Sequence, residues 1–295
     1  MGSQQLVAKY RRDGYVVVED LLSDDTVAGL RAKTDAWIAQ SRGISETDDV
    51  FELGPGHSAE TPRLERIKAP HAVEPAFFDL IREPALVEVL TALLGPDVRL
   101  QNSKLNIKST GGAAVEWHQD WAFYPHTNDD VLAVGVMLDD MTLENGPLMI
   151  VPGSHTGRIY DHHSEGFFCG AIGDDETASF LKDAVPITGR AGSVSFHHAR
   201  VLHGSEQNRS GKPRRLLLYE VAAADALPIA GGLGPFKDWD ELNSRIISGA
   251  QPLEPRVAAV PVRLPQPLPP RATSIFALQH QGDNKLYAKQ AAADT

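Results

Sequence analysis

The 295-residue chain holds a single cysteine, Cys169, so it can form no internal disulfide and offers no Cys-rich zinc site. That usage accords with a reducing compartment. No run approaches 18 consecutive apolar residues, so no helix spanning a bilayer is expected. A basic surplus is also missing: 28 Lys and Arg stand against 39 Asp and Glu, a net charge of -11. Binding to nucleic-acid phosphates calls for the opposite sign and is disfavoured. No HExxH occurs, which removes the usual zinc-hydrolase pattern. No G-x-S-x-G elbow occurs either, which disfavours nucleophilic serine chemistry. The stretch MGSQQLVAKYRRDGY lacks the apolar segment of a signal peptide. Leu6 sits where a myristoyl signal needs Ser or Thr. The expectation is an acidic, cytoplasmic globular protein with no membrane or nucleic-acid partner; its oligomeric state is left open.

What is present divides the chain in two textures. Tyr15 to Asp20 (YVVVED), rich in β-branched residues, reads as an opening strand. Ser23 then reads as a helix N-cap, with Asp24 and Asp25 favouring the positive end of the helix dipole. A polar loop is expected from about Ser41 to Pro62, and a second helix from Pro84 to Leu94, closed by Gly95. From Val98 onward short strands alternate with turn signals. The strands are Arg99 to Lys108, Val131 to Leu138, Pro147 to Val151, Ser193 to His197 and Arg214 to Ala222. This pattern predicts a mainly β protein, an antiparallel sandwich or barrel with flanking helices. One domain over 1–295 is expected: a helical part at about 23–95, a core at about 98–222, an inserted loop at about 225–250 and a C-terminal cover at 251–295. The five prolines of 261–270 demand an extended path. The tail from Arg271 to Tyr287 reads as a last strand or as a cover for the core.

The stretch WHQD, residues 117 to 120, carries the chemistry. On an extended segment His118 and Asp120 point to one face; on a helix they would diverge. An imidazole nitrogen and a carboxylate oxygen converging on one point suit a metal. With one more histidine they make the facial triad of non-haem Fe(II) oxygenases. His203 is the best third ligand, at the end of an apolar strand and before a Gly-Ser turn. Arg214 follows as the first residue of RRLLLYEV. A buried arginine there needs an anion, and the carboxylate of a small diacid matches its fork. By alternation only one of Arg214 and Arg215 points inward, and Arg214 is the choice.

These motifs occur in order: DGYVVVEDLLS (13–23), KLNIKSTGG (104–112), WHQD, ENGPLMIVPGSH (144–155) and GSVSFHHARVLHGSEQNRSGKPRR (192–215). In this the chain resembles the phytanoyl-CoA dioxygenase family of Fe(II)- and 2-oxoglutarate-dependent oxygenases. The resemblance implies a double-stranded β-helix, a cupin-like jelly roll. It implies that His118, Asp120 and His203 bind Fe(II) and that Arg214 pairs with the far carboxylate of 2-oxoglutarate. The implied reaction consumes O2, releases succinate and CO2, and oxidises an unactivated C–H of a small molecule, most simply by hydroxylation. Specialised metabolism is the expected setting. Related halogenases lack the carboxylate supplied here by Asp120.

Other positions are less sharply marked. Ser205, Asn106, Lys108 and Gln101, with Ser103, are candidates to contact 2-oxoglutarate or substrate. Trp121, Phe123, Tyr124 and His126 are candidates to line a substrate pocket, and their aromatic character suggests a partly apolar ligand. Phe236 and Trp239 in the inserted loop are candidates for a lid. Of the adjacent pair His197 and His198, one is read as core and the other as surface, and Cys169 as inert. Alternative outcomes on the same iron are desaturation, epimerisation, epoxidation or rearrangement, and an amino-acid hydroxylase is a near alternative. A jelly-roll binding module without catalysis is the reading from another class.

Overall fold

Two antiparallel sheets enclose one cavity, and helices cover the outer face of the larger sheet. The computed structural model describes residues 2–230, 236, 238–270 and 275–293. The larger sheet has eight strands. Its main path runs β1 (Tyr15–Val18), β11 (Val194–His198), β6 (Val131–Met137), β13 (Arg214–Ala223), β4 (Val98–Lys108), β3 (Leu64–Lys68) and β2 (Phe51–Leu53). The eighth, β14 (Ile246–Ser248), also pairs with β4. The smaller sheet runs β10 (Val185–Ile187), β7 (Leu148–Ile150), β12 (His203–Ser205) and β5 (Val115–His118). A separate hairpin joins β8 (His163–Ser164) to β9 (Phe167–Phe168).

Strand alternation explains which side of the large sheet is greasy. Leu217, Tyr219 and Val221 on β13, Leu132, Val134 and Val136 on β6, and Leu105 and Ile107 on β4 belong to one buried cluster. The same cluster takes Leu6 and Tyr10 of α1 (Ser3–Asp13) and Val27, Leu30 and Trp37 of α2 (Asp24–Ser41). It also takes Phe77 of α4 (Pro75–Ile81), which follows the short α3 (Pro70–Val73), and Leu86 and Leu90 of α5 (Pro84–Leu94). Each such side chain stabilises by about 1.5–3 kcal/mol on burial. The intervening residues, Arg214, Leu216, Leu218 and Glu220 on β13 and Lys104, Asn106 and Lys108 on β4, point the other way, toward the cavity.

The helix signals act as the sequence predicts. The Ser23 hydroxyl accepts from Thr26 N–H at 3.1 Å, Pro84 opens α5, and the Gly95 N–H closes it on Thr91 O at 3.0 Å.

Several expectations need correction. The chain does not open with a strand: α1 precedes β1, and β1 ends at Val18. Only Leu6 and Tyr10 of α1 are buried, too few to show a helical period by eye. The expected loop at 41–62 contains β2, so the helical part at 23–95 also contributes the edge strand β2 and its neighbour β3. The described part of the tail, from residue 275, is not a strand. It forms α8 (Ile275–Gln281) and α9 (Leu286–Ala293), which cover β5. The Glu116 carboxylate on β5 accepts from the backbone N–H groups of Tyr287 and Ala288, at 2.9 and 3.0 Å. The remaining helices are α6 (Asp174–Phe180) and α7 (Trp239–Ser244). Of the loop expected at 225–250, residues 231–235 and 237 lie outside the described residues. Residues 261–270 contain neither helix nor strand, as five prolines demand. Among the described residues no helix is long and apolar enough to cross a membrane.

Candidate metal centre

His118 is the last residue of β5, and His203 is the first of β12. The two are direct partners across that ladder, with ring centroids 4.1 Å apart. His203 therefore does not end an apolar strand, as the sequence suggested. Strand β11 stops at His198, a turn crosses to the small sheet, and His203 starts there between β5 and β7. The extended geometry expected for 117–121 holds only as far as Gln119 (φ -120°, ψ 126°). Asp120 opens a single 3₁₀ turn, pinned by Trp121 N–H on Ala199 O at 2.8 Å. The turn leaves its carboxylate facing both rings: Asp120 Oδ1 lies 3.7 Å from His118 Nε2 and 3.7 Å from His203 Nε2.

All three donors lie within 4.8 Å of one another, and all are buried. Donors held about 2.1 Å from one ion, at right angles, sit about 3 Å apart. The two contacts of Asp120 Oδ1, each 3.7 Å, need to close by less than about 1 Å to meet that geometry. Each ring is also turned for ligation. His118 Nδ1 bonds Glu116 O at 2.8 Å, and His203 Nδ1 bonds Val201 O at 3.0 Å. A proton on Nδ1 leaves the Nε2 lone pair facing the cavity. His126 and His162 make the same bond to the residue two before them, so it orients a ring without making it a ligand. Burial keeps both triad imidazoles neutral, His118 far below its ordinary value and His203 at about 4. Burial opposes charge on Asp120, but His203, His197 and Lys104 outweigh it and hold the carboxyl below its usual range.

A cavity of about 320 Å³ lies against the triad. At one end, Arg214 (first residue of β13) is the direct partner of Lys108 (last of β4). Arg214 gives one N–H to Gly146 O at 2.6 Å, and its buried Nε has no partner. Lys108 donates to Ser205 Oγ at 2.7 Å and to Glu206 O. Burial, then the adjacent guanidinium, pushes the Lys108 ammonium well down; burial lowers Arg214 to about 10. Two buried basic groups side by side with an unused donor suit an anion. Arg215 turns outward to Asp139 and Asp35, as alternation required. Asn106 lines the cavity and accepts from Arg66 Nε at 2.9 Å.

Other candidates are not brought to the cavity wall. Gln101 stands at a bulge opposite β13, against the Arg99 guanidinium. Ser103 faces the helices, bonded to His71. Trp121 is fully buried and donates to Pro261 O at 2.9 Å. Phe123 meets the His118 ring edge-on from behind, Tyr124 is buried with its phenol against the Asp120 carboxylate and within electrostatic reach of Glu220, and His126 bonds back to Tyr124 O. Phe236 lies over Arg99, and Trp239 is half exposed on α7. Trp121 and Phe123 thus pack behind the triad, and the cavity carries a polar wall of Arg66, Lys104, Asn106, His197 and Glu220 beside the aliphatic Leu148, Leu216 and Leu218. Of the polar wall only Asn106 is singled out by the sequence; Arg66, Lys104, His197 and Glu220 are not. Lys104 and Glu220 share strand parity with Lys108 and Arg214, which was the available signal. His197 sits inside the cavity, its Nε2 3.7 Å from Asp120 Oδ2. His198 faces away from the triad, toward Asp129 and His155. Cys169 is buried, and burial raises its thiol pKa.

His162 supports the metal segment from outside. Its Nε2 accepts from Gln119 N–H at 2.9 Å while Nδ1 serves Tyr160 O, which requires a neutral ring. Burial holds His162 and His126 at about 4, below the ordinary value of 6.5. The unfolded chain protonates these rings first as pH falls, so its free energy drops relative to the folded one. Stability is expected to be intact above about pH 6.5 and to decline as pH drops toward 4. Calorimetric melting between pH 7 and 4 checks this; a Tm constant over that window contradicts it.

A model of the phytanoyl-CoA dioxygenase (PhyH) family matches residues 10–216. A probable alpha-ketoglutarate-dependent hypophosphite dioxygenase of Stutzerimonas stutzeri is 37% identical over 283 residues, covering 95% of this chain and 98% of that one. An L-proline trans-4-hydroxylase of Streptomyces griseoviridis is 33% identical, covering 71% of this chain and 82% of that one. The crystal structure of EctD from S. alaskensis with bound Fe superposes with a TM-score of 0.67 at 26% identity, over 88% of this chain and 87% of that one.

Proposed function

Since the chain belongs to the phytanoyl-CoA dioxygenase family, a group of Fe(II)- and 2-oxoglutarate-dependent oxygenases, we propose that His118, Asp120 and His203 hold its iron and that Arg214, Lys108 and Ser205 hold the far carboxylate of 2-oxoglutarate. The reaction is oxidation, by hydroxylation, of a small molecule. The observation that carries the assignment is the pairing of two sites in one cavity. One presents three neutral or anionic donors with their lone pairs inward; the other presents two buried cations joined by strand register. A binding module without catalysis would need neither the oriented Nε2 atoms nor the unspent guanidinium N–H.

Bound together, iron and 2-oxoglutarate supply the oxidation of a C–H by O2, with release of succinate and CO2. The chain's own residues orient and seclude. Glu116 O and Val201 O fix the two rings. The Asp120 turn and the ladder between β5 and β12 set the spacing of the donors. His197, facing the carboxylate oxygen that points away from the other imidazoles, limits rotation of Asp120. Phe123, Phe168 and Trp121 close the back of the site against water.

The test is a small-molecule screen with Fe(II), 2-oxoglutarate and O2, read by succinate release and product mass. A product heavier by one oxygen atom is expected; one lighter by two hydrogens would replace hydroxylation with desaturation.

A further inference from the structure

The floor of the cavity carries a charged pair that neither the triad nor the anion site uses. Glu220 stands on β13 and Lys104 on β4, both on the cavity face. Lys104 Nζ donates to Glu220 Oε1 at 2.9 Å. The Glu220 side chain is only 5% exposed, and its second oxygen, Oε2, is buried without a partner. Ala133 lies directly opposite both Glu220 and His197 on neighbouring strands, so the sheet itself places only a methyl group between those two polar side chains, and the Tyr124 phenol lies within electrostatic reach of Glu220. Lys104 acts electrostatically on Asp120 and His203, which places the pair beside the triad. Four residues along β4, about 13 Å, separate it from Lys108.

We infer that the Lys104–Glu220 pair is the substrate-recognition site and that its ligand is a small zwitterion, with a cationic nitrogen on Glu220 Oε2 and a carboxylate on the Lys104 ammonium. This rests on the oxygenase reading above. A buried carboxylate oxygen without a donor is destabilising, and an N–H cation is the group that satisfies it best. Lys104 spends one of three donors on Glu220 and keeps the others for a carboxylate. An ammonium and a carboxylate a bond or two apart, as in an α-amino acid, complete an alternating four-charge ring with the pair. A purely anionic ligand such as hypophosphite brings no N–H donor and would meet Glu220 as a like charge.

The experiment uses the full-length protein loaded with Fe(II). Binding of 2-oxoglutarate without oxygen tests the underlying reading on its own; failure there removes both. Succinate release is then compared with no addition, with each protein amino acid, with the matching desamino carboxylates and with hypophosphite. At least one amino acid should accelerate release while its desamino counterpart does not. Binding of 2-oxoglutarate without such acceleration, or equal acceleration by desamino acids or hypophosphite, overturns the inference and leaves the iron assignment standing. Glu220→Gln, which keeps shape and removes charge, should raise KM for the accelerating amino acid about 10- to 100-fold, with a smaller change in kcat. If that variant does not fold, Lys104→Gln should raise the same KM. An unchanged KM in a folded variant sinks the assignment.

Discussion

Asp120→Ala is expected to lower iron-dependent succinate release by more than about 100-fold, because substitutions in the outer shell of metal sites already cost about 10- to 100-fold and this one removes a ligand. His118→Ala should do the same. The argument is geometric. Asp120 Oδ1 is the atom that faces both imidazole Nε2 atoms at 3.7 Å, and it is the sole anion among the three donors. Without it two neutral rings remain, and the attraction for a divalent ion falls steeply. The fold should survive, since Asp120 sits in a turn held by backbone bonds of Trp121, Ala122 and Phe123. The measurement is iron content and succinate release on the same sample, with Tm as the control for folding. Full activity in either variant would refute the ligand assignment.

How far this site could be read from the sequence depended on how local each feature is. Parity along a strand is local, so the inward Arg214 and outward Arg215 followed from two adjacent letters. The same rule, carried six residues further along β13 and four back along β4, reaches Glu220 and Lys104; the signal was present and unused. Caps are local too, which is why α2 and α5 end where Ser23, Pro84 and Gly95 put them. What failed was non-local. His203 begins a strand rather than ending one because the chain changes sheets between His198 and His203, and only the partner strands β5 and β7 make that crossing visible. The aromatic residues after His118 read either as core or as pocket lining. The turn that starts at Asp120 redirects Trp121 and Phe123 behind the triad, toward Pro261 and Phe168, and leaves the Tyr124 phenol against the Asp120 carboxylate. The edge strand β2, three residues long, has no period to detect and exists because β3 is beside it.

Arg214→Ala should raise the KM for 2-oxoglutarate far more than it changes kcat at saturation. Removing one member of a buried, hydrogen-bonded charge pair costs about 2–5 kcal/mol, and each 1.4 kcal/mol is tenfold, so the rise should be roughly 30- to several thousand-fold. The structure says why the loss is not absorbed by Lys108. Its ammonium is already committed to Ser205 Oγ and Glu206 O, and it is a point donor where the guanidinium is a fork. Arg214→Lys should therefore recover only part of the affinity, since it restores charge without the two parallel N–H groups. Arg215→Ala is the matched control. It removes an equal charge one residue away, but from the outer face, where the partners are Asp139 and Asp35. That variant should melt earlier and keep the wild-type KM. If instead the two alanine variants behave alike, the far carboxylate is anchored elsewhere, and the join between the ends of β4 and β13 loses the role given to it here.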